Sequence, residues 1–424
     1  MNFLEELKWR GMLQDTTPGV EEVLNQEMVT GYIGFDPTAP ALTIGNYVQI
    51  MLLKLFQLSG HKPIVLMGGA TGRIGDPSGK DKERELKSLD VLDYNLSQQA
   101  KYFSKFLEFE SGENRAEIVN NKDFYEKMNV LDFLRTVGKT LTVNYMMSKE
   151  SVKKRVETGI SFTEFSYQLL QAYDFQCLFQ QKNCLVQMGG SDQWGNITSG
   201  TEFIRRNLGD KAYAVTTPLL TKADGNKFGK SEKGNLWLDP ELTSPYEFYQ
   251  FWIRCNDEDV PKFIRYFTLK SREEVEALEK EHADNPQALK EALAEELTIR
   301  VHSKEALAAA KNVSDLLFRK IDKERLITLD KASLEIVRKE IPSFDIPAAL
   351  IKNGVNIVDL LAEHTAILNS KGEARRAIQG NAISVNKEKI ADHEYLLSNT
   401  HLLHGQYLLV ENGKKNKFLV HTTE

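Results

Sequence analysis

Residues 29–69 read VTGYIGFDPTAPALTIGNYVQIMLLKLFQLSGHKPIVLMGG, and this stretch decides the fold. Val29 to Phe35 is a short β-rich run that ends in a Pro/Thr/Ala loop. From Ile44 to Leu58, apolar residues fall at helical spacing: Ile44, Tyr47, Val48, Met51, Leu52 and Leu55. Gly60 closes the helix, and Lys62 to Met67 (KPIVLM) then forms a continuous apolar strand of the kind buried on both faces. Gly68 and Gly69 follow it. Asn183 to Met188 (NCLVQM) repeats the pattern and also ends in Gly-Gly. Strands separated by helices predict a parallel α/β sheet with right-handed crossovers. Ligands on such sheets bind at the carboxyl ends of the strands, where Gly34, Gly68-Gly69 and Gly189-Gly190 stand.

Outward from that core the pattern changes. From about Thr243 it is helical, with a capping box at Ser271 and Glu274 and an N-cap plus proline at Asn285-Pro286. One long Ala/Leu/Glu-rich helix is expected from there toward Phe318. Ile341 to Pro347 (IPSFDIP), with two prolines, reads as a linker. Beyond it, Ile357 to Glu363 and Lys371 to Gln379 read as helices, and Ala382 to Asn386 and Gln406 to Val410 as strands.

Composition excludes several classes of function. Charged residues make up 27% and apolar residues 41%, and no apolar run approaches the roughly 18 residues of a membrane span. The first ten residues have neither a signal-peptide nor a transit pattern, so a cytoplasmic location is expected. Cys177, Cys184 and Cys255 lack paired spacing, which argues against a disulfide framework or a closed zinc site. Only His61 precedes residue 282, so chemistry in the first half is not expected to rest on histidine. A net charge of -6 gives no global sign of nucleic-acid binding, although a local basic face acts within a Debye length of about 8–10 Å.

Four constellations carry chemistry. In Tyr32 to Asn46, a strand runs through a loop into a helix, whose first N–H groups and positive dipole end suit phosphate. Lys222 to Ser231 (KADGNKFGKS) puts Lys227 and Lys230 on a glycine-containing loop. It nearly matches a P-loop, but Asp224 stands where glycine is needed and no helix is expected after it. Tyr167, Gln171 and Asp174, spaced by four and three, share one helix face. Arg375 and Arg376, on a short helix before a strand, can meet an RNA backbone by charge and shape. Taken singly, each is also compatible with a capped helix, a solvated loop or a polar stripe.

Together, Thr43-Ile44-Gly45-Asn46 and Lys227-Phe228-Gly229-Lys230-Ser231 resemble the paired signatures of class I aminoacyl-tRNA synthetases, written HIGH and KMSKS. KFGKS is a form common in tyrosyl-tRNA synthetases. TIGN departs from HIGH at both histidines and resembles the tryptophanyl version. YIGFDPT (Tyr32 to Thr38), GGATGRIGDPSGK (Gly68 to Lys80), SFTEFSYQLLQAYD (Ser161 to Asp174) and GGSDQWGN (Gly189 to Asn196) resemble bacterial tyrosyl-tRNA synthetases, in the same order.

That resemblance implies a Rossmann-like catalytic domain over residues 1–236, a helical anticodon-side domain over 237–342 and a small α+β RNA-binding domain over 343–424. It implies that Tyr167, Gln171 and Asp76 hold the tyrosine ammonium, Tyr32 and Asp174 its phenol, and Gln193 its carboxylate. Gly34, Asp36, Thr38, Thr43, Gly45, Asn46, Gly190 and Asp192 take ATP or adenylate roles. Lys80, Arg84, Lys227, Lys230 and Ser231 surround the pyrophosphate. Arg205, Arg206, Lys371, Arg375 and Arg376 are expected to face tRNA. The resemblance further implies ATP with magnesium as co-substrate, tRNA(Tyr) and L-tyrosine as partners, a homodimer, and no dedicated metal site.

Overall fold

Five parallel strands form the central sheet: β1 (Thr30–Phe35), β2 (Lys62–Met67), β3 (Glu117–Asn120), β4 (Cys184–Gly190) and β5 (Tyr213–Thr217), in the order β3-β2-β1-β4-β5. They belong to a computed structural model that describes residues 1–78, 84–225, 228–231, 234–319, 321–413 and 416–423. Two units make up the chain, Met1–Ser244 with Gln250–Val301, and Pro245–Tyr249 with His302–Glu424.

In the first unit the expected strand–helix–strand segment forms as read. The helix Ile44–Leu58 joins β1 to β2, with Tyr32 opposite Ile64 and Gly34 opposite Leu66. Every β2 residue after Lys62 is buried, as its unbroken apolar run requires. From β1 the chain builds outward to β2 and β3, then returns to lay β4 on the other side of β1. This reversal opens a crevice at the carboxyl ends of β1 and β4. The expected strand Asn183–Met188 begins one residue later and runs on through Gly190. Asn183 instead takes a left-handed conformation, φ 50°, and caps the helix Phe162–Lys182. The edge strands β3 and β5 carry no clear sequence signal. β3 is four residues long and begins with Glu117, whose carboxylate pairs with Lys62 at 3.4 Å and with Lys182.

The same unit includes the helices Val260–Phe267, Arg272–Glu281 and Pro286–Val301. The capping box at Ser271 and Glu274 forms as expected. The single long helix expected toward Phe318 does not form. It stops at Val301, and Lys304–Phe318 starts afresh behind Ser303, whose hydroxyl accepts from the Ala306 N–H.

A second five-stranded sheet lies in the second unit, ordered Glu388–Lys389, Ile383–Val385, Tyr407–Asn412, Asn416–Thr423 and Ser343–Pro347. The last of these corrects the linker reading. Residues 343–347 form an edge strand parallel to Asn416–Thr423, with Ile346 opposite Thr422 and buried. Pro342 and Pro347 bracket the strand at a sheet edge, where a missing N–H costs least. Lys371–Gln379 is helical as expected. Among the described residues, no helix is long and apolar enough to cross a membrane.

Candidate active site

A cavity of about 570 Å3 opens at the carboxyl ends of β1 and β4. Its lining includes Tyr32, Gly34, Asp36, Thr38, Gly45, Asn46, Asp76, Arg84, Tyr167, Gln171, Asp174, Gly190, Asp192 and Gln193. These expected site residues come from five separated stretches of chain, brought together by the switch point. Lys80 and Lys227 lie outside the described residues, as do the side chains of Lys230 and Ser231. The backbone of Lys230–Ser231 pairs with Gly234–Asn235 as a short antiparallel ribbon, so no P-loop helix follows.

At one end of the cavity two carboxyl groups, the buried Asp174 and the half-buried Asp36, share a hydrogen-bonded chain. Asp174 accepts from Tyr125 Oη at 2.7 Å and from Asn121 Nδ2 at 2.8 Å. Asn121 Nδ2 also donates to Thr71 Oγ1 at 2.9 Å, and Thr71 donates to Asp36 at 2.7 Å. The other Asp36 oxygen accepts from the Tyr167 hydroxyl at 2.8 Å. Burial raises Asp174 to about 7 and Asp36 to about 6, against the lowering effect of these donors. Gly68 makes the arrangement possible, because a Cβ there would lie 2.0 Å from Asp36 Oδ1.

Tyr32 and Asp174 are each 1% exposed. Burial first, and the Asp174 charge second, push the Tyr32 hydroxyl well above its ordinary pKa, so it stays protonated. That hydroxyl is enclosed and has no hydrogen-bond partner among the described residues. An unmatched buried hydroxyl costs about 1–3 kcal/mol, and here it lines a cavity beside a carboxyl group. A ligand bearing its own hydroxyl would satisfy both.

A second chain of polar groups runs through Asp76. One carboxylate oxygen accepts from Gln193 Nε2 at 2.7 Å, and the other from the Ser78 N–H at 2.9 Å. Gln171 Nε2 donates to Gln193 Oε1 at 3.4 Å, and Arg84 Nε to the Asp76 carbonyl at 3.1 Å. Tyr167 therefore stands with Asp36, while Gln171 stands with Asp76 and Gln193. A carboxylate with two carboxamides suits an α-amino acid's ammonium and carboxylate.

The more exposed side presents the N-terminus of the helix Ile44–Leu58. Thr43 is its N-cap, and a reciprocal capping box joins it to Asn46: Thr43 N–H donates to Asn46 Oδ1 at 2.9 Å, and Asn46 N–H to Thr43 Oγ1 at 3.4 Å. Gly45 and Asn46 line the cavity. Burial and the nearby Asp76 charge raise the Asp192 carboxyl. Gly229 packs on the same helix end, where a Cβ would lie 2.9 Å from Ile44 Cγ2. The two signature segments are thus neighbours.

His61 stands apart, buried just before the amino end of β2, stacked 4.7 Å from Phe56 and accepting from the Val29 N–H at 3.2 Å. Of the residues expected to meet RNA, Arg375 and Arg376 are exposed. Lys371 is held by Asp359 and Glu363, each at 2.8 Å, and Glu202 pairs with Arg205 at 2.8 Å and Arg206 at 2.6 Å. The sequence reading gave no role to Thr71, Asn121, Tyr125, Gln187 or Phe228, although Phe228 stands inside the quoted KFGKS segment and Gln187 inside the quoted strand. Thr71 fell inside a quoted block without being assigned. Asn121 and Tyr125 are lone polar residues in a short connection, with no periodic signal.

Comparison with known proteins follows the same geometry. Residues 24–319 match the family described as tRNA synthetases class I (W and Y), and residues 333–420 match the tyrosine–tRNA ligase SYY-like C-terminal domain. The chain is 52% identical to a tyrosine–tRNA ligase of Bacteroides thetaiotaomicron over 427 residues, and 54% identical to one of Cytophaga hutchinsonii over 423. Each alignment covers 99% of both chains. A C-terminally truncated mitochondrial tyrosyl-tRNA synthetase of Aspergillus nidulans superposes with a TM-score of 0.67 at 30% identity, over 75% of this chain and 94% of that one.

Proposed function

The chain belongs to the class I tRNA synthetases of the tryptophan and tyrosine group, and from that premise we propose how its residues divide the work. The activity is that of a tyrosine–tRNA ligase, with L-tyrosine, ATP and tRNA(Tyr) as substrates. A tyrosine carboxylate oxygen attacks the α-phosphorus of ATP, the bond to the β-phosphate bridge breaks, and pyrophosphate leaves. A hydroxyl of the terminal tRNA ribose then attacks the tyrosyl carbonyl, and AMP leaves. No side chain need become a nucleophile. The protein supplies orientation and stabilises charge.

The observation that carries the tyrosine reading is the orphaned Tyr32 hydroxyl beside Asp174 in the cavity wall. Tyr32 donates to the substrate phenol oxygen, and Asp174 accepts the phenol proton's hydrogen bond. Asp76 and Gln171 hold the ammonium, with Tyr167 anchored beside them by Asp36, and Gln193 meets the carboxylate. Gly34, Thr38, Gly45, Asn46, Gly190 and Asp192 receive the nucleotide, and Thr43 holds the helix end in shape. Lys80, Arg84, Lys227, Lys230 and Ser231 serve the pyrophosphate. Magnesium would accompany ATP and neutralise phosphate charge, held chiefly by the nucleotide, with Asp192 in the cavity lining as the carboxyl oxygen that would reach it.

Residues 1–236 carry activation, 237–342 the anticodon side, and 343–424 further RNA binding through Arg375 and Arg376, in the cytoplasm. The chain works as a homodimer. Its helix Val130–Thr136 buries none of its residues, and Leu131 and Phe162 are 72% and 73% exposed, apolar surface that a second copy would cover. ATP–pyrophosphate exchange without tRNA, run with tyrosine, tryptophan and phenylalanine in turn, tests the core reading. Exchange with tyrosine alone is expected, and exchange driven by tryptophan would overturn it.

A further inference from the structure

Phe228, the second residue of the KFGKS segment, lines the cavity and leads into a column of aromatic rings. Its ring stacks on Phe267 at 5.3 Å and 23°, and Phe267 stacks in turn on Tyr47 at 6.0 Å and 15°. Phe263 flanks Phe228 at 5.0 Å, and Trp252 at 6.0 Å. Tyr47 and Phe267 are fully buried. Arg300 locks the column from the side: one guanidinium nitrogen donates to the Phe267 carbonyl at 2.6 Å and lies 3.3 Å from the Tyr47 hydroxyl.

The position of the column matters. Tyr47 directly follows Asn46 on the helix whose N-terminus faces the cavity, and Phe228 directly precedes Gly229. Gly229, at φ +89°, packs against Ile44 and Gly45. The two segments proposed to meet ATP therefore touch at Gly229, and behind that touch they are tied through a common ring, Phe267. Stacked rings within a packed core resist sliding, because any shift opens a void or forces overlap.

We propose that Phe228, Phe267 and Tyr47 act as a positioning unit, which sets the backbone of the lysine loop against the helix N-terminus for the activation step. None of the three need touch the reacting atoms. They act through the residues beside them, so the column serves adenylate formation and not tyrosine binding. The inference rests on the proposed role of that loop in serving the pyrophosphate.

The test is single-turnover adenylate formation by the full-length protein, with the tyrosine dissociation constant measured in parallel. The variants are Phe228→Leu, Phe228→Tyr, Phe267→Leu and, as a control on the loop itself, Lys230→Ala. Phe228 is only half-buried, so its leucine variant tests the column even where Phe267→Leu does not fold. Phe228→Leu is expected to slow adenylate formation about tenfold, from the loss of ring pairs each of modest strength. Tyrosine affinity should stay within about twofold on that accounting, and Phe228→Tyr, which keeps the ring, should restore most of the rate. A slow Lys230→Ala beside a Phe228→Leu of unchanged rate would overturn the positioning unit and leave the loop's role standing. A Lys230→Ala of unchanged rate would overturn the loop's role and the inference with it. Equal losses of rate and tyrosine affinity in Phe228→Leu would mark a general structural role and also overturn it.

Discussion

Replacing Tyr32 by phenylalanine should move stability and activity in opposite directions. In the free protein the hydroxyl is buried with no partner among the described residues, a penalty of about 1–3 kcal/mol. Tyr32→Phe removes it and keeps the ring, which packs edge-on against Phe175 at 5.3 Å. The ligand-free variant is therefore expected to unfold at higher denaturant concentration than the parent. With tyrosine bound in the proposed manner, the same change deletes one neutral hydrogen bond, worth about 0.5–1.5 kcal/mol. At about 1.4 kcal/mol per factor of ten, kcat/KM for tyrosine should fall about two- to tenfold. Phenylalanine offers no hydroxyl to pair, so its kcat/KM should hold or rise, and the tyrosine/phenylalanine ratio should narrow. Discrimination through a substrate hydroxyl, without editing, is already known for this enzyme class, and the expectation here is only the share of one residue. Pyrophosphate exchange with each amino acid, together with denaturant unfolding of the ligand-free protein, reads both signs. A destabilised variant with an unchanged ratio would refute the reasoning, because the hydroxyl would then be paired inside the protein and irrelevant to the substrate.

Asp174, raised to about 7 by burial, binds a proton in the native state at pH values where the unfolded carboxyl has already lost it. Its contribution to stability therefore falls as pH rises from about 4 to about 7 and levels above that; Asp174→Asn should flatten this slope in unfolding measurements at pH 5 and pH 8. Asn46→Ala should slow adenylate formation while leaving tyrosine affinity nearly intact, and Thr43→Ala should add a cap loss of about 0.5–2 kcal/mol in stability. The rate of adenylation between pH 5.5 and 8.5 should lack any ionisation that disappears in His61→Ala, since burial lowers that group and it lies at the amino end of β2; such an ionisation would put a histidine in the chemistry. Reversing the charge of Arg375 and Arg376 together should weaken tRNA charging and its salt dependence with pyrophosphate exchange unchanged; a loss of exchange would contradict the division between activation and RNA binding.

The local elements were legible because their signals are periodic. The apolar spacing of Ile44 to Leu58 and the unbroken run of Lys62 to Met67 mark a helix and a strand without reference to anything distant. Tyr167, Gln171 and Asp174 could be set on one face for the same reason, and all three line the cavity. Reading failed where the deciding partner is remote. Residues 343–347 look like a proline-bracketed linker until Asn416–Thr423 pairs with them across some seventy residues. The helix expected to reach Phe318 carries a continuous propensity, yet Ser303 caps a new helix within it.

Within the site, the sequence by itself determined which groups are on hand: glycines at strand ends, a helix start at Ile44 with the neutral Thr43 and Asn46 beside it, and a lysine loop. Those follow from residue type and short-range spacing, which survive without a fold. Only the tertiary structure decided how the groups are paired. Asp36 belongs to Tyr167 and Thr71, Asp174 to Asn121 and Tyr125, and Tyr32 is left with none among the described residues. Hydrogen bonds reach about 3 Å, and Asp36 and Tyr167, 131 positions apart, come within that reach only when the strand order reverses between β1 and β4. The same holds for Phe228, whose ring finds Phe267 and, through it, Tyr47 only after three distant stretches of chain have packed into one unit.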